Sequence, residues 1–130
     1  MPTHTLIRAA GLSEPISHYS DAVRAGNTVY VSGQAALDGA GRLVGAGDVV
    51  AQAGQVLENL KLALAAAGAT LDDVVKVTVY LADVADRPQV NEVRKVYFGA
   101  NRPASTLIGI DQFAIDGMLV EIDAVAVIRR

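Results

Sequence analysis

Hydrophobic positions along the chain switch between a period of two and a period near 3.6, and the switches mark the elements. "HTLIRA", near the start, predicts a short first strand. "NTVYVSGQAAL" (27–37) has the β-branched and aromatic density of a second, entered by a turn at Gly26 and Asn27. "DGAGRLVGAG" is turn-rich and reads as a loop. From Asp48 the period lengthens. Val50, Ala53, Leu57, Leu60, Leu64 and Ala67 recur at steps of three and four, which predicts a helix with these residues inward. Gln52, Gln55, Glu58, Asn59 and Lys61 fall mostly off that face. Asp48 is placed as its N-cap and Gly68 as its stop.

"DDVVKVTVYLADV" (72–84) returns to alternation and predicts a strand, with Val75, Val77, Val79 and Leu81 on one side and Val74, Lys76, Thr78 and Tyr80 on the other. "DRPQVNEVRKVYFGA" (86–100) predicts a second helix. Pro88 lies in its first turn, Val90, Val93 and Tyr97 face inward, and Gly99 ends it. "ASTLIGID" (104–111) and "MLVEIDAVAVIRR" (118–130) are the last two strands, joined through a turn at Asp116-Gly117. The expected order is β-β-α-β-α-β-β. Two helices cover one face of a sheet, yet the last strand is apolar on both sides: Val120, Ile122, Ala124, Ala126 and Ile128 against Leu119, Val125 and Val127. A sheet with one wet face alternates more cleanly. The second face is therefore expected to be buried between subunits.

Composition narrows the function. At 130 residues one domain, 1–130, is expected. There is no Cys, and His4 and His18 are too few for a His-based metal cluster, so no metal site is expected. A net charge of −3 without a basic stripe argues against nucleic acid as a partner. No stretch has the ~20 apolar residues of a membrane helix, and "MPTHTLIRAAG" lacks the apolar run of a signal peptide. A cytoplasmic protein with no membrane partner is expected.

Glu121 is the least conventional residue, a carboxylate on the strand face of Leu119, Val125 and Val127, with Asp123 roughly 7 Å along. Two readings stand: a carboxylate held in an apolar cleft to move a proton or orient water, or an ion pair or subunit-rim position. "VSGQ" (31–34) ends a strand with Ser32 and Gly33, where either a bulge or close approach of a ligand is served by the missing side chain. Tyr19, in "SHYSD", is either a hydrogen-bonding aromatic over a pocket or a packed surface residue. His18 lacks an identifiable partner. Asn91 lies off the apolar stripe of the second helix, as a solvated residue or a ligand.

Taken together, "VYVSGQ", "VVAQAGQVLENLKLALAAAGATLDDVVKVTVYLADV", "VNEVRKVYF", "RPAST" and "LVEIDAVAV" resemble the YjgF/RidA family in order and spacing, from about Ser17 to Val127. The resemblance implies an α+β, chorismate-mutase-like fold, with a six-stranded mixed sheet, two helices on one face, and a homotrimer whose sheets form a barrel. It implies clefts between subunits and, in members with deaminase activity, cofactor-independent hydrolysis of enamines and imines such as 2-aminoacrylate. By the same resemblance Glu121 positions the attacking water, and Tyr19, Ser32, Gly33, Asn91 and Leu107 line the pocket.

The family's substrate carboxylate is held by an Arg in "P-A-R-[ST]", for which a guanidinium is suited by its paired N–H bonds. This chain reads Pro103-Ala104-Ser105-Thr106, with Ser105 at the Arg position. A hydroxyl offers one hydrogen bond and no charge. The expected function is therefore a RidA-like binder of a small metabolite, hydrolysing an enamine or imine other than 2-aminoacrylate. A neutral ligand, or an anion held by Arg102 or Arg24, fits that site. The alternative is a non-catalytic small-molecule sensor or partner-protein modulator. Ribonuclease or translation-inhibitor activity is disfavoured by the acidic balance.

Overall fold

The computed structural model describes residues 3–129. Its elements are β1 (Thr5–Ile7), β2 (Ala22–Ala25), β3 (Thr28–Gln34), α1 (Val49–Ala66), β4 (Val74–Leu81), α2 (Arg87–Phe98), β5 (Ala104–Gly109) and β6 (Val120–Val127). They form one six-stranded mixed sheet in the order β1-β2-β3-β6-β4-β5. Only β4 and β5 pair in parallel, because α2 carries the chain back between them; the other pairs are antiparallel. Both helices lie on one face, α1 across β3 and β6 and beside α2.

Expectation and structure differ in three places. The hydrophobic pattern gave five strands. The sixth, β2, is only "AVRA", too short to show a period, and pairs with both β1 and β3. The inward face of α1 is rotated from the expected one. Val50 is 46% exposed, while Val49, Val56, Gln52 and Asn59 are buried with Leu57, Leu60 and Leu64. The polar pair is inside because its amides are satisfied. Gln52 donates to the carbonyls of Gly45 and Gly117 and accepts from the Leu119 N–H, and Asn59 donates to the carbonyls of Ala35 and Leu37. In β4 a register shift between Val74 and Lys76 puts Val74 in the core and leaves Val75 48% exposed, the reverse of simple alternation.

The caps follow the expected residues. Asp48 accepts the Ala51 N–H at 3.1 Å, Gly68 stands just past α1 with φ 85°, and Gly99 closes α2 with φ 59°. β6 carries Val120, Ile122, Ala124 and Ala126 into the core under α1. Its other side, Glu121, Asp123, Val125 and Val127, faces away from the helices. Tyr30 of β3 pairs with Val125 on that open side. Tyr30 is 52% and Val127 38% exposed.

Candidate functional site

Four of the expected site residues meet at the end of β3. Between the Val31–Ala124 and Gln34–Ile122 pairs, β3 advances three residues against two on β6. That extra residue is a bulge, and it contains Ser32 and Gly33. Glu121, at the start of β6, lays its carboxylate over Gly33: a Cβ built there would fall 2.8 Å from Glu121 Cδ. The bulge reading of Gly33 holds, and the group that lies over it is the Glu121 side chain of the same chain, not a ligand or a second backbone. Ser32 Oγ donates to the Ser20 carbonyl at 2.6 Å and its N–H to the Asp21 carbonyl at 3.1 Å, which ties the bulge to the loop carrying Tyr19. In that loop the Tyr19 hydroxyl accepts the Ile16 N–H at 3.4 Å.

These groups line a cavity of about 330 Å³ whose walls include Leu12, Ile16, Leu37, Ile115 and Met118, together with the polar Gln34 and Asn59. Asp21, unremarked in the sequence, also lines it and is 4% exposed. It accepts from Arg8 at 2.8 Å and from the Ala9 N–H at 2.8 Å, so its role is to fasten the loop. His18 is exposed and outside the cavity lining.

The electrostatics set Glu121 apart. Burial first, then the charge of Asp123, push its carboxyl above the ordinary carboxylate range. Asp123 itself accepts the Tyr80 hydroxyl at 3.0 Å, and burial followed by that bond raises the Tyr80 phenol. Asp123 is thus hydrogen-bonded, while no ion pair or hydrogen bond engages the Glu121 side chain among the described residues. A half-buried, unpaired carboxylate lining a cavity can accept a proton from water that attacks a bound molecule.

Asn91, Ser105 and Leu107 are not in this cavity. In the parallel pairing of β4 and β5, Ser105 aligns with Val77 and Leu107 with Val79, the helix-covered side, whereas Glu121 aligns with Tyr80 on the open side. Leu107 packs against the core. Asn91 and Ser105 form a second cluster around a residue that the hydrophobic pattern gave no reason to single out. Arg94, one turn after Asn91 on α2, donates to Asn91 Oδ1 at 3.2 Å and to Ser105 Oγ at 3.0 Å. The signal was present as the i, i+3 spacing of Asn91 and Arg94, but on a polar helix face it looks like solvation. The cations suggested by sequence stand elsewhere. Arg24 donates to the carbonyls of Gly26 and Ala67, closing the end of α1, and Arg102 is exposed in the loop before β5.

Comparison with known proteins agrees with this architecture. Residues 11–128 match the family model described as Endoribonuclease L-PSP. A RutC family protein of Pyrococcus horikoshii is 43% identical over 113 residues, covering 87% of this chain and 89% of the relative. The 2-iminobutanoate/2-iminopropanoate deaminase of Mus musculus is 45% identical over 113 residues, covering 86% and 82%. Among solved structures, E. coli TdcF with bound serine superposes with a TM-score of 0.88 at 31% identity, covering 95% of this chain and 98% of that one. With a family model spanning most of the chain and the helix-on-sheet fold of its solved relatives, the protein belongs to the YjgF/RidA family, whose model carries the name Endoribonuclease L-PSP.

Proposed function

We propose that this protein binds a small metabolite in clefts between the subunits of a homotrimer and hydrolyses an enamine or imine other than 2-aminoacrylate, without a cofactor. The observation that carries this reading is the Glu121 carboxylate, raised in pKa and seated over Gly33 in the lining of a cavity with both apolar and polar walls. In the reaction, Glu121 takes a proton from water as its oxygen bonds to the C=N carbon. That proton passes to nitrogen to give a carbinolamine; the new hydroxyl then gives up its own proton, also to nitrogen, as the C=O bond forms and the C–N bond breaks, releasing ammonia and a carbonyl product. An enamine enters the same path after moving a proton to carbon. Deaminase names among the relatives support the reaction type. Ser105, at the position of the family arginine, argues against 2-aminoacrylate as the preferred substrate.

The split of the site residues into two clusters supports the assembly. Glu121, Gly33, Ser32 and Tyr19 form one half, and Asn91 on α2 with Ser105 and Leu107 on β5 belong to another part of the fold, so a shared cleft needs a second copy. A net charge of −3 without a basic track argues against RNA as substrate, because cleavage of RNA begins with holding its phosphates. The test is hydrolysis of imines generated in situ by an amino-acid oxidase, followed by ammonia release. Glu121→Gln should lower the rate about 10²-fold or more with the oligomer intact. A purified protein that accelerates none of a panel of imines, yet is stabilised thermally by one of their keto acids, would favour the sensor reading.

A further inference from the structure

Arg94 is a cation with no anion. Arg8, Arg42 and Arg129 each have a carboxylate within 4.0 Å, at 2.8, 3.2 and 3.9 Å for Asp21, Asp38 and Asp73. Arg24, Arg87, Arg94 and Arg102 have no such partner among the described residues, but Arg87 and Arg102 are exposed and Arg24 is engaged by the Gly26 and Ala67 carbonyls, whereas Arg94 is partly buried and burial lowers its pKa. Its two hydrogen bonds go to neutral oxygens, Asn91 Oδ1 at 3.2 Å and Ser105 Oγ at 3.0 Å. These two acceptors hold the planar fork from both sides, one from its own helix and one from β5. A side chain that loses this much freedom and hydration without a counter-charge is arranged for something absent from the chain itself.

The position of that cation is informative. Ser105 is exposed, so the guanidinium reaches the open edge of β5. Because Ser105 Oγ accepts from Arg94, its own O–H is directed to another acceptor. The remaining N–H bonds of Arg94 and the O–H of Ser105 are therefore donors presented together, with one full positive charge. A small carboxylate matches that set: one oxygen for the guanidinium and one for the hydroxyl.

We propose that Arg94, held by Asn91 and Ser105, is the specificity-determining cation of the cleft, and that the ligand is a small acid whose carboxylate it binds. The positive charge needed to hold the substrate has moved from the β5 side chain to helix α2. The proposal rests on the cleft reading above for its setting. It narrows the substrate to an anionic imine or enamine, removes the neutral ligand that Ser105 alone would allow, and readmits 2-aminoacrylate, itself a small anionic enamine, which the missing β5 charge alone disfavours.

The test measures binding apart from turnover. The probes are 2-oxobutanoate, the keto acid that hydrolysis of 2-iminobutanoate would release, and 2-oxobutanamide, its neutral counterpart of equal length, each titrated by calorimetry. The unmodified protein should bind the acid about ten- to a hundredfold more tightly than the amide, the worth of one charge-assisted hydrogen bond. Arg94→Gln should erase that preference while the melting temperature and oligomer size stay unchanged. Arg94→Lys, which keeps the charge and loses the fork, should recover part of it and serves as the control for folding. Equal binding of acid and amide by the unmodified protein, or no binding of either, would overturn the proposal. So would a preference that survives in Arg94→Gln, or an equal weakening of both probes, which is what a purely structural arginine gives. The two readings fail separately. An acid preference that depends on Arg94 in a protein that hydrolyses no imine removes the proposed reaction and keeps the anchor; turnover with no acid preference does the reverse.

Discussion

Glu121 is a costly residue to keep where it is. Its carboxyl is raised by burial and by Asp123, so between the ordinary carboxylate pKa and the raised value the folded protein holds a proton that the unfolded chain has released. Stability therefore falls as pH rises through that window. A water-activating base must be ionised, so activity rises with pH through the raised value, later than for an ordinary carboxylate. Two consequences can be checked. The acid limb of kcat/KM should move to lower pH in Asp123→Asn, which removes the repelling charge, provided the Tyr80 contact is kept by the amide oxygen. Glu121→Gln should melt at a higher temperature than the unmodified protein at pH 7 while losing turnover. An unmoved limb in Asp123→Asn would mean that burial alone sets the pKa. Ser105 shows the opposite economy: a neutral hydroxyl acts by orienting a charge that comes from another element.

The elements bring such residues into place through buried amides more than through the apolar stripe. The hydrophobic period located α1, β4, α2 and β6, and it placed Val120, Ile122, Ala124 and Ala126 correctly inside. It mis-phases α1 because an apolar period leaves Gln52 and Asn59 off the inward face, and that fails for an amide whose partners lie in distant segments. Gln52 bonds to residues 7 and 65 positions away, a separation no local pattern reports. The strand β2 was lost to its length, and Arg94 to its polar surroundings. Of the candidate site, Tyr19, Ser32, Gly33 and Glu121 were legible from family resemblance and from oddity on a strand. The cationic partner of Ser105, Arg94, was not, because it depends on which helix face α2 turns toward β5. Gln52 also has a functional reach. By holding the Gly117 carbonyl and the Leu119 N–H at 3.0 and 2.8 Å it fixes the turn that enters β6 two residues before Glu121. Gln52→Leu, close in size, would leave these groups unpaired and should destabilise the fold by about 1–3 kcal/mol, seen in denaturant melts. It should also lower turnover beyond what the loss of folded protein explains; a variant with full specific activity would show that the turn holds without it.

At the scale of the whole molecule the sheet has a covered face and an open one, and the open one carries Tyr30, Val125 and Val127 beside Glu121 and Asp123. Burying that face against other copies removes exposed apolar area, which is favourable at roughly 25 cal/mol per Å². It also offers a way to join the two half-sites that lie apart in one chain. If the cleft takes Glu121 from one copy and Arg94 from its neighbour, two impaired variants can repair each other. Glu121→Gln retains a good Arg94, and Arg94→Gln retains a good Glu121. Unfolded together in equal amounts and refolded, they form mixed rings in which about a quarter of the interfaces pair the two intact halves by chance. At substrate concentrations well below KM, imine hydrolysis should then return to about a quarter of the unmodified rate, while either variant refolded alone stays at its own lower rate, and light scattering should give a multiple of 13.5 kDa throughout. Shared halves make recovery obligatory, because each intact pair needs nothing from the damaged ones. Halves that work within one chain make recovery impossible, because every chain in the mixture carries a lesion. A mixture that refolds to the full oligomer and gains no rate over the separate variants would therefore place the whole reaction inside a single subunit.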